Sequence, residues 1–190
     1  VEGAPMSDIL HELIPEFQLI ENETLRLKVI AVWEEAIKLG GWSVEDLSSI
    51  PFTLLEQTDI SFLDHVRVVC QLCLATEEVL NAAYGDRYDI DRDTLIAGAL
   101  LADVGKLMEF TRQDDEYIWS EVYDNLRHPF TGVGLCFKHD MPPAVMHVIA
   151  THSWEGDRFR RQPESIIFHH ADFTDFDLAQ FAAKKKTGMA

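Results

Sequence analysis

Apolar positions recur with a helical period along almost the whole chain. Over residues 24–39, Leu25, Leu27, Ile30, Val32, Trp33 and Ile37 alternate with polar residues until Gly40 and Gly41 stop the run, as in a helix with a glycine terminator. Ser43 then opens a short acidic segment, and Pro51 breaks whatever helix precedes it. Ser61 with Asp64 three residues later resembles a capping box, with aspartate in place of the usual glutamate; it predicts a helix carrying His65 in its first turns. Residues 86–93 are polar and turn-like. Residues 94–104 are apolar on nearly every side, as expected of a helix buried at the centre of a domain, and Asp103 ends it.

Residues 109–125 mix acids and aromatics without a clean period, which predicts a loop with a short strand pair around residues 117–119, placed as a lid over a site. His128 followed by Pro129 marks a helix start, with the histidine at the cap and proline at the first helical position. Pro142 and Pro143 open another helix that leads through Val145, Val148 and Ile149 to Thr151 and His152. A last long helix covers residues 163–183, and Lys184 to Lys186 complement the negative end of its dipole. Val1 to Pro5, ahead of Met6 and a capping-type Ser7, read as an appended remnant outside the fold.

The expected architecture is therefore all-α, a single helical bundle, and 190 residues with 47% hydrophobic content suffice for one sizeable core. A formal charge of -17 repels nucleic-acid backbones and anionic membrane surfaces as general partners. No apolar run reaches the roughly 20 residues of a membrane span, and a cytoplasmic location is expected. Three cysteines make no disulfide framework. Cys70 and Cys73 form a CxxC, but they fall inside the apolar-periodic residues 66–80 and read as small core residues on a helix. Neither a phosphate-binding glycine loop nor a serine in a nucleophile elbow is present.

Chemistry enters with Asp103. A carboxylate at the end of a wholly apolar helix needs a cation or a metal beside it. Four further donors, His65, His128, His152 and Asp172, fall at element ends or in first turns. Nitrogen and oxygen donors without thiolate suit iron, manganese, cobalt, nickel, zinc or magnesium better than a structural zinc knot. The ordered series DHVRVV at 64–69, LLADVGK at 100–106, RHPFTGVG at 127–134, IATHS at 149–153 and HHADFTDFD at 169–177 resembles the HD-domain superfamily of metal-dependent phosphohydrolases. Ala102 stands where that family has the histidine of its His-Asp doublet.

The resemblance implies an HD-type metal-binding core over residues 61–183, with an N-terminal helical segment, residues 6–60, packed on it in one domain. It implies one or two divalent ions among the central helices, with Asp103 bridging, His65 and Asp172 on one ion, and His128 and His152 on the other. The position vacated at Ala102 weakens the first site, so the second ion binds more tightly; water, another side chain such as His169, or the substrate are the candidates to fill it. Asp103 and Lys106 are the catalytic candidates. Lys106, with Arg158, Arg160 and Arg161, is a candidate clamp for a small anionic substrate, and Arg127 is a further cation beside His128. Tyr123 and Trp154 are candidates for an apolar pocket wall. A divalent ion acidifies its water, supplies hydroxide and neutralises charge on a phosphoryl group, so the leading expectation is hydrolysis of a small phosphate ester or nucleotide. A di-iron oxygenase of the same superfamily acting on a small anion, and a catalytically degenerate sensor or interaction domain, are the alternatives. Homo-oligomers are compatible with all three.

Overall fold

Every residue of Thr94–Leu101 is buried, so the helix they form, α4 (Arg92–Leu101), stands at the centre of the fold in the computed structural model, which describes residues 5–186. Asp91 caps α4, its side chain accepting from the Thr94 amide at 2.6 Å, while its own amide donates to Glu164 at 2.8 Å. The helices packed around α4 are α2 (Glu23–Gly40), α3 (Phe62–Tyr84), α8 (Pro143–Thr151) and α9 (Pro163–Lys186). α1 (Met6–Leu13), α5 (Lys106–Glu109), α6 (Glu121–Asn125) and α7 (His128–Lys138) complete the mostly helical bundle. Among the described residues, no helix is long and apolar enough to cross a membrane.

The N-terminal segment is part of the same core. Leu10, Ile14, Phe17 and Ile20 are fully buried, and one hydrophobic cluster runs from Leu10 to Ala171. Trp33 on α2 lies edge-on to Phe17 and donates its indole N–H to the Leu100 carbonyl at 3.0 Å. A buried indole has thereby met its hydrogen-bonding requirement and tied α2 to the central helix.

The glycine stop of α2 is as expected: Gly41 has φ 74°, and the amides of Gly41 and Trp42 turn back to Lys38 and Ile37. Ser61 caps α3 by accepting from the Asp64 amide at 3.0 Å. The shorter Asp64 side chain reaches the Ser61 hydroxyl, at 2.7 Å, in place of the backbone amide that a glutamate would reach. Cys70 and Cys73 are fully buried on α3, and burial pushes the Cys70 thiol up to about 12 and raises Cys73 as well.

Several boundaries differ from the expectation. The central helix starts at Arg92 and ends at Leu101, so Asp103 lies in the turn after it and does not end it. Pro5, not Ser7, precedes the first helix, and the Ser7 hydroxyl turns to Asp8; residues 1–4 of the remnant lie outside the described residues. Arg127 is the cap of α7, with His128 at its first position and Pro129 at its second. Proline tolerates either place, because neither amide has a partner within the helix. α9 continues to Lys186, taking the lysine triplet into its last turn. Residues 109–125 are more ordered than a loop. Strands β1 (Phe110–Gln113) and β2 (Glu116–Trp119) pair antiparallel, Phe110 opposite Trp119, around a two-residue turn in which Asp114 and Asp115 both have positive φ.

Candidate metal centre

Five elements bring the predicted donors together. His65 sits in the first turn of α3, Asp103 in the turn after α4, His128 at the start of α7, His152 just past the end of α8 and Asp172 inside α9. Asp103 lies at the middle. Its Oδ1 is 3.3 Å from His128 Nε2 and 3.6 Å from His152 Nε2, whereas its Oδ2 is 3.0 Å from His65 Nε2. Asp172 Oδ1 is 3.2 Å from the same His65 nitrogen. The donors thus form two groups, Asp103–His128–His152 and His65–Asp103–Asp172, each with its ligand atoms within 4.8 Å of one another. Ala102 is fully buried and offers no donor. His169 does not fill its place: its Nδ1–H donates to the His152 carbonyl at 2.5 Å, which steadies the end of α8.

Partners behind the histidines decide which nitrogen each one offers. Glu109 accepts the His128 backbone amide at 2.5 Å and the His128 Nδ1–H at 3.2 Å. His152 donates its Nδ1–H to the Ile149 carbonyl at 2.8 Å. With Nδ1 donating in both rings, the neutral form of each carries its lone pair on Nε2. Those two nitrogens are 3.2 Å apart, facing Asp103 Oδ1. Three electron-pair donors converging without a donor between them fit a divalent cation, and carboxylate or carbonyl acceptors behind metal-binding imidazoles are the usual supporting layer.

Asp175 plays the corresponding part for His65, accepting its Nδ1–H at 2.7 Å. Burial opposes a charge on His65, but hydrogen bonds to Asp103, Asp172 and Asp175 outweigh it and raise the imidazole to about 10. Burial likewise opposes the Asp103 charge, yet Lys106, then His152 and His65, hold its carboxyl well below the usual carboxylate range. The two remaining histidines diverge. Burial lowers His128 despite Glu109, whereas for His152 the Asp103 carboxylate overcomes burial and raises it. Neither Glu109 nor Asp175 was singled out from sequence; Asp175 follows Asp172 by three residues on α9, a spacing that places both on one face.

A cavity of about 270 Å³ opens over the centre. Its polar wall holds Lys106 and Arg127, and its apolar wall includes Phe110, Trp119, Tyr123, Trp154 and Phe176. The 109–125 segment thus covers the site through Trp119 and Tyr123, whose rings stack with centroids 3.8 Å apart. Lys106 donates to Asp103 Oδ2 at 2.8 Å and to the Phe52 carbonyl at 3.1 Å. Arg127 lies over the rings of Tyr123 and Trp154, at 5.2 and 5.6 Å. It reaches Glu109 at 3.3 Å and Glu155 at 3.5 Å, and the Glu155 oxygens, although buried, have no hydrogen-bond partner.

Arg158, Arg160 and Arg161 are not brought to this cavity. A tight turn at Trp154–Gly156 carries the chain away from it. Arg161 instead donates to the carbonyls of Thr151 and Ser153, at 2.7 and 3.2 Å, satisfying acceptors left open where α8 ends. With Arg160 it lines a separate cleft beside His169 and His170. Arg127 is the arginine that lines the cavity.

A Glu109→Gln amide cannot accept from both the amide and the Nδ1–H of His128, so it loses one bond or forces the ring into the tautomer that protonates Nε2. Metal affinity is expected to fall by about 10- to 100-fold, measured by chelator competition, with helical circular dichroism unchanged. Undiminished affinity would show that Glu109 does not orient His128.

No protein-family profile matches the chain, and no solved structure matches it. A curated protein does: the dihydroneopterin 2',3'-cyclic phosphate phosphodiesterase of Methanocaldococcus jannaschii is 30% identical over 186 residues, covering 92% of this chain and 72% of that protein. With that identity across nearly its whole length, the chain belongs to the family of this archaeal cyclic phosphate phosphodiesterase.

Proposed function

We propose that the protein is a metal-dependent phosphohydrolase of the HD superfamily that acts on a small phosphate ester, in particular a cyclic phosphate. One observation carries this reading: Asp103 Oδ1 and the Nε2 atoms of His128 and His152 converge, while the Nδ1 atom of each ring is held by an acceptor on the far side. The archaeal relative, by its name a cyclic phosphate phosphodiesterase, supports the substrate class. Residues 61–183 supply every donor in this reading, and residues 6–60 complete the core beneath it.

Asp103, His128 and His152 would hold a divalent ion such as iron, manganese, cobalt, nickel, zinc or magnesium. When bound, it supplies an acidified water and neutralises charge on the phosphoryl group. Lys106 and Arg127, the cations lining the cavity, attract and orient the phosphate of the ester. Glu109 and the Ile149 carbonyl keep the imidazoles in register. The stacked Trp119 and Tyr123, with Phe176 also lining the cavity, exclude bulk water and suit a flat ring carried by the ester. Net chemistry is addition of water across one P–O bond of the cyclic diester, giving a phosphomonoester and a free hydroxyl.

The test is hydrolysis of a panel of 2',3'-cyclic phosphates, followed by phosphorus NMR, with the folded protein supplied in turn with manganese, iron, cobalt, nickel, zinc and magnesium. Metal-stimulated ring opening is expected, abolished by a chelator and restored by the ion. Absence of hydrolysis across the whole panel overturns the proposal.

A further inference from the structure

Two donor groups share Asp103, but their surroundings differ. Oδ1 is faced by the Nε2 atoms of His128 and His152 and, among the described residues, by no lysine or arginine. Oδ2 is engaged twice, by His65 Nε2 at 3.0 Å and by the Lys106 ammonium at 2.8 Å. Lys106 is itself fixed, with a second bond to the Phe52 carbonyl at 3.1 Å, its charge over the Phe52 ring and its side chain only 14% exposed. Phe52 also stacks on His65, with centroids 4.6 Å apart, so lysine and histidine are held against the same ring. On this side the chain offers three donors, His65, Asp103 and Asp172, and Ala102 adds none.

We infer that this protein binds one divalent ion, at Asp103–His128–His152, and that the Lys106 ammonium takes the place of a second. The inference rests on the metal-dependent reading above and deepens it. A divalent ion on the His65 side would need the Asp103 oxygen that the ammonium already holds, and would face that fixed positive charge across a buried, weakly screened space. Each side offers three protein donors, so the fixed ammonium is what distinguishes them. The Lys106 ammonium instead meets the Asp103 charge on the His65 side. A single-ion centre leaves no iron pair, so the di-iron oxygenase alternative loses its cofactor.

The experiment is metal counting on the full chain, reconstituted with excess manganese and desalted, by elemental analysis together with the manganese paramagnetic resonance spectrum. The expected result is one ion per chain with the spectrum of an isolated ion. Lys106→Met, which keeps the stem and removes the charge, is expected to raise the count towards two, and Lys106→Met with Ala102→His to reach two with a spin-coupled spectrum. Asp172→Asn in the otherwise unchanged chain is expected to leave the count at one, which guards against misfolding of the lysine variants. Two ions in the unchanged chain, or a fall from two to one in Asp172→Asn, overturns the inference while leaving the metal-dependent reading intact. A Lys106→Met protein that is folded and still binds one ion also overturns it. No ion in the unchanged chain overturns both.

Discussion

Asp103→Asn is expected to lower turnover by about 10³-fold or more, to abolish tight metal binding and to destabilise the protein, all from a change of one atom. The amide keeps the shape of the carboxylate but loses its charge: with its oxygen toward the Lys106 ammonium and His65, its N–H₂ group points at His128 and His152 and occupies the lone pairs an ion would need, and turned the other way it sets that group against the ammonium. A divalent ion stabilises developing phosphoryl charge by several kcal/mol, and each ~1.4 kcal/mol is a factor of about ten in rate, which gives the expected scale. The stability loss has a separate origin. Asp103 is 3% exposed and is a principal counter-charge to Lys106, so its neutralisation leaves a buried cation uncompensated, at a cost of about 3–5 kcal/mol. Elemental analysis, turnover with cyclic phosphate and urea denaturation measure the three effects. Wild-type metal content and turnover in the folded variant would remove Asp103 from the chemistry.

The order of the candidate ligands was legible in the sequence because each sits where local rules act: behind a Ser61 cap, at the end of an all-apolar helix, beside Pro129, after a proline-started helix. Convergence of His65, Asp103, His128, His152 and Asp172 needed the resemblance as well as those rules, since no local pattern states that α3, α7, α8 and α9 meet at one point. Glu109 and Asp175 were not legible, because a carboxylate behind a histidine is defined only by the approach of two helices distant in sequence. The arginines show the same limit. Arg158, Arg160 and Arg161 follow a ligand closely in sequence and looked like a clamp, but a carbonyl-terminated α8 claims Arg161, while Arg127 is drawn to the cavity by Glu109, Glu155 and two aromatic rings. Residues 109–125 lack a readable period because their hairpin turns on two aspartates with positive φ, where Asn-Gly or Asp-Gly is the usual signal.

Gly105→Ala is expected to cost about 10²-fold in turnover although the residue touches neither ligand atom nor substrate. Gly105 lies between Asp103 and Lys106, and its φ of -63° is open to any residue, so the requirement for glycine is one of space. A Cβ there would stand 2.3 Å from the His128 carbonyl oxygen, 2.5 Å from the Thr131 hydroxyl and 2.9 Å from the His128 Cα. Two of these are backbone atoms at the start of α7 and cannot swing aside, so the α4–α5 turn and α7 must separate by about an ångström. That motion pulls His128 from Asp103, the pair that the proposed ion needs closest. Displacement of that size costs about 10²-fold in rate, and the overpacking should cost about 1–3 kcal/mol in stability. Gly134 on α7 is the matched control. A Cβ there meets nothing within 4 Å, and alanine favours a helix interior over glycine by about 1 kcal/mol, so Gly134→Ala should be slightly more stable and fully active. Turnover, metal affinity and denaturation midpoints of the two variants, measured side by side, separate close packing at the site from a general effect of removing glycine. Equal activity in both would mean that the contact between the Asp103 turn and the His128 helix does not set the geometry of the centre.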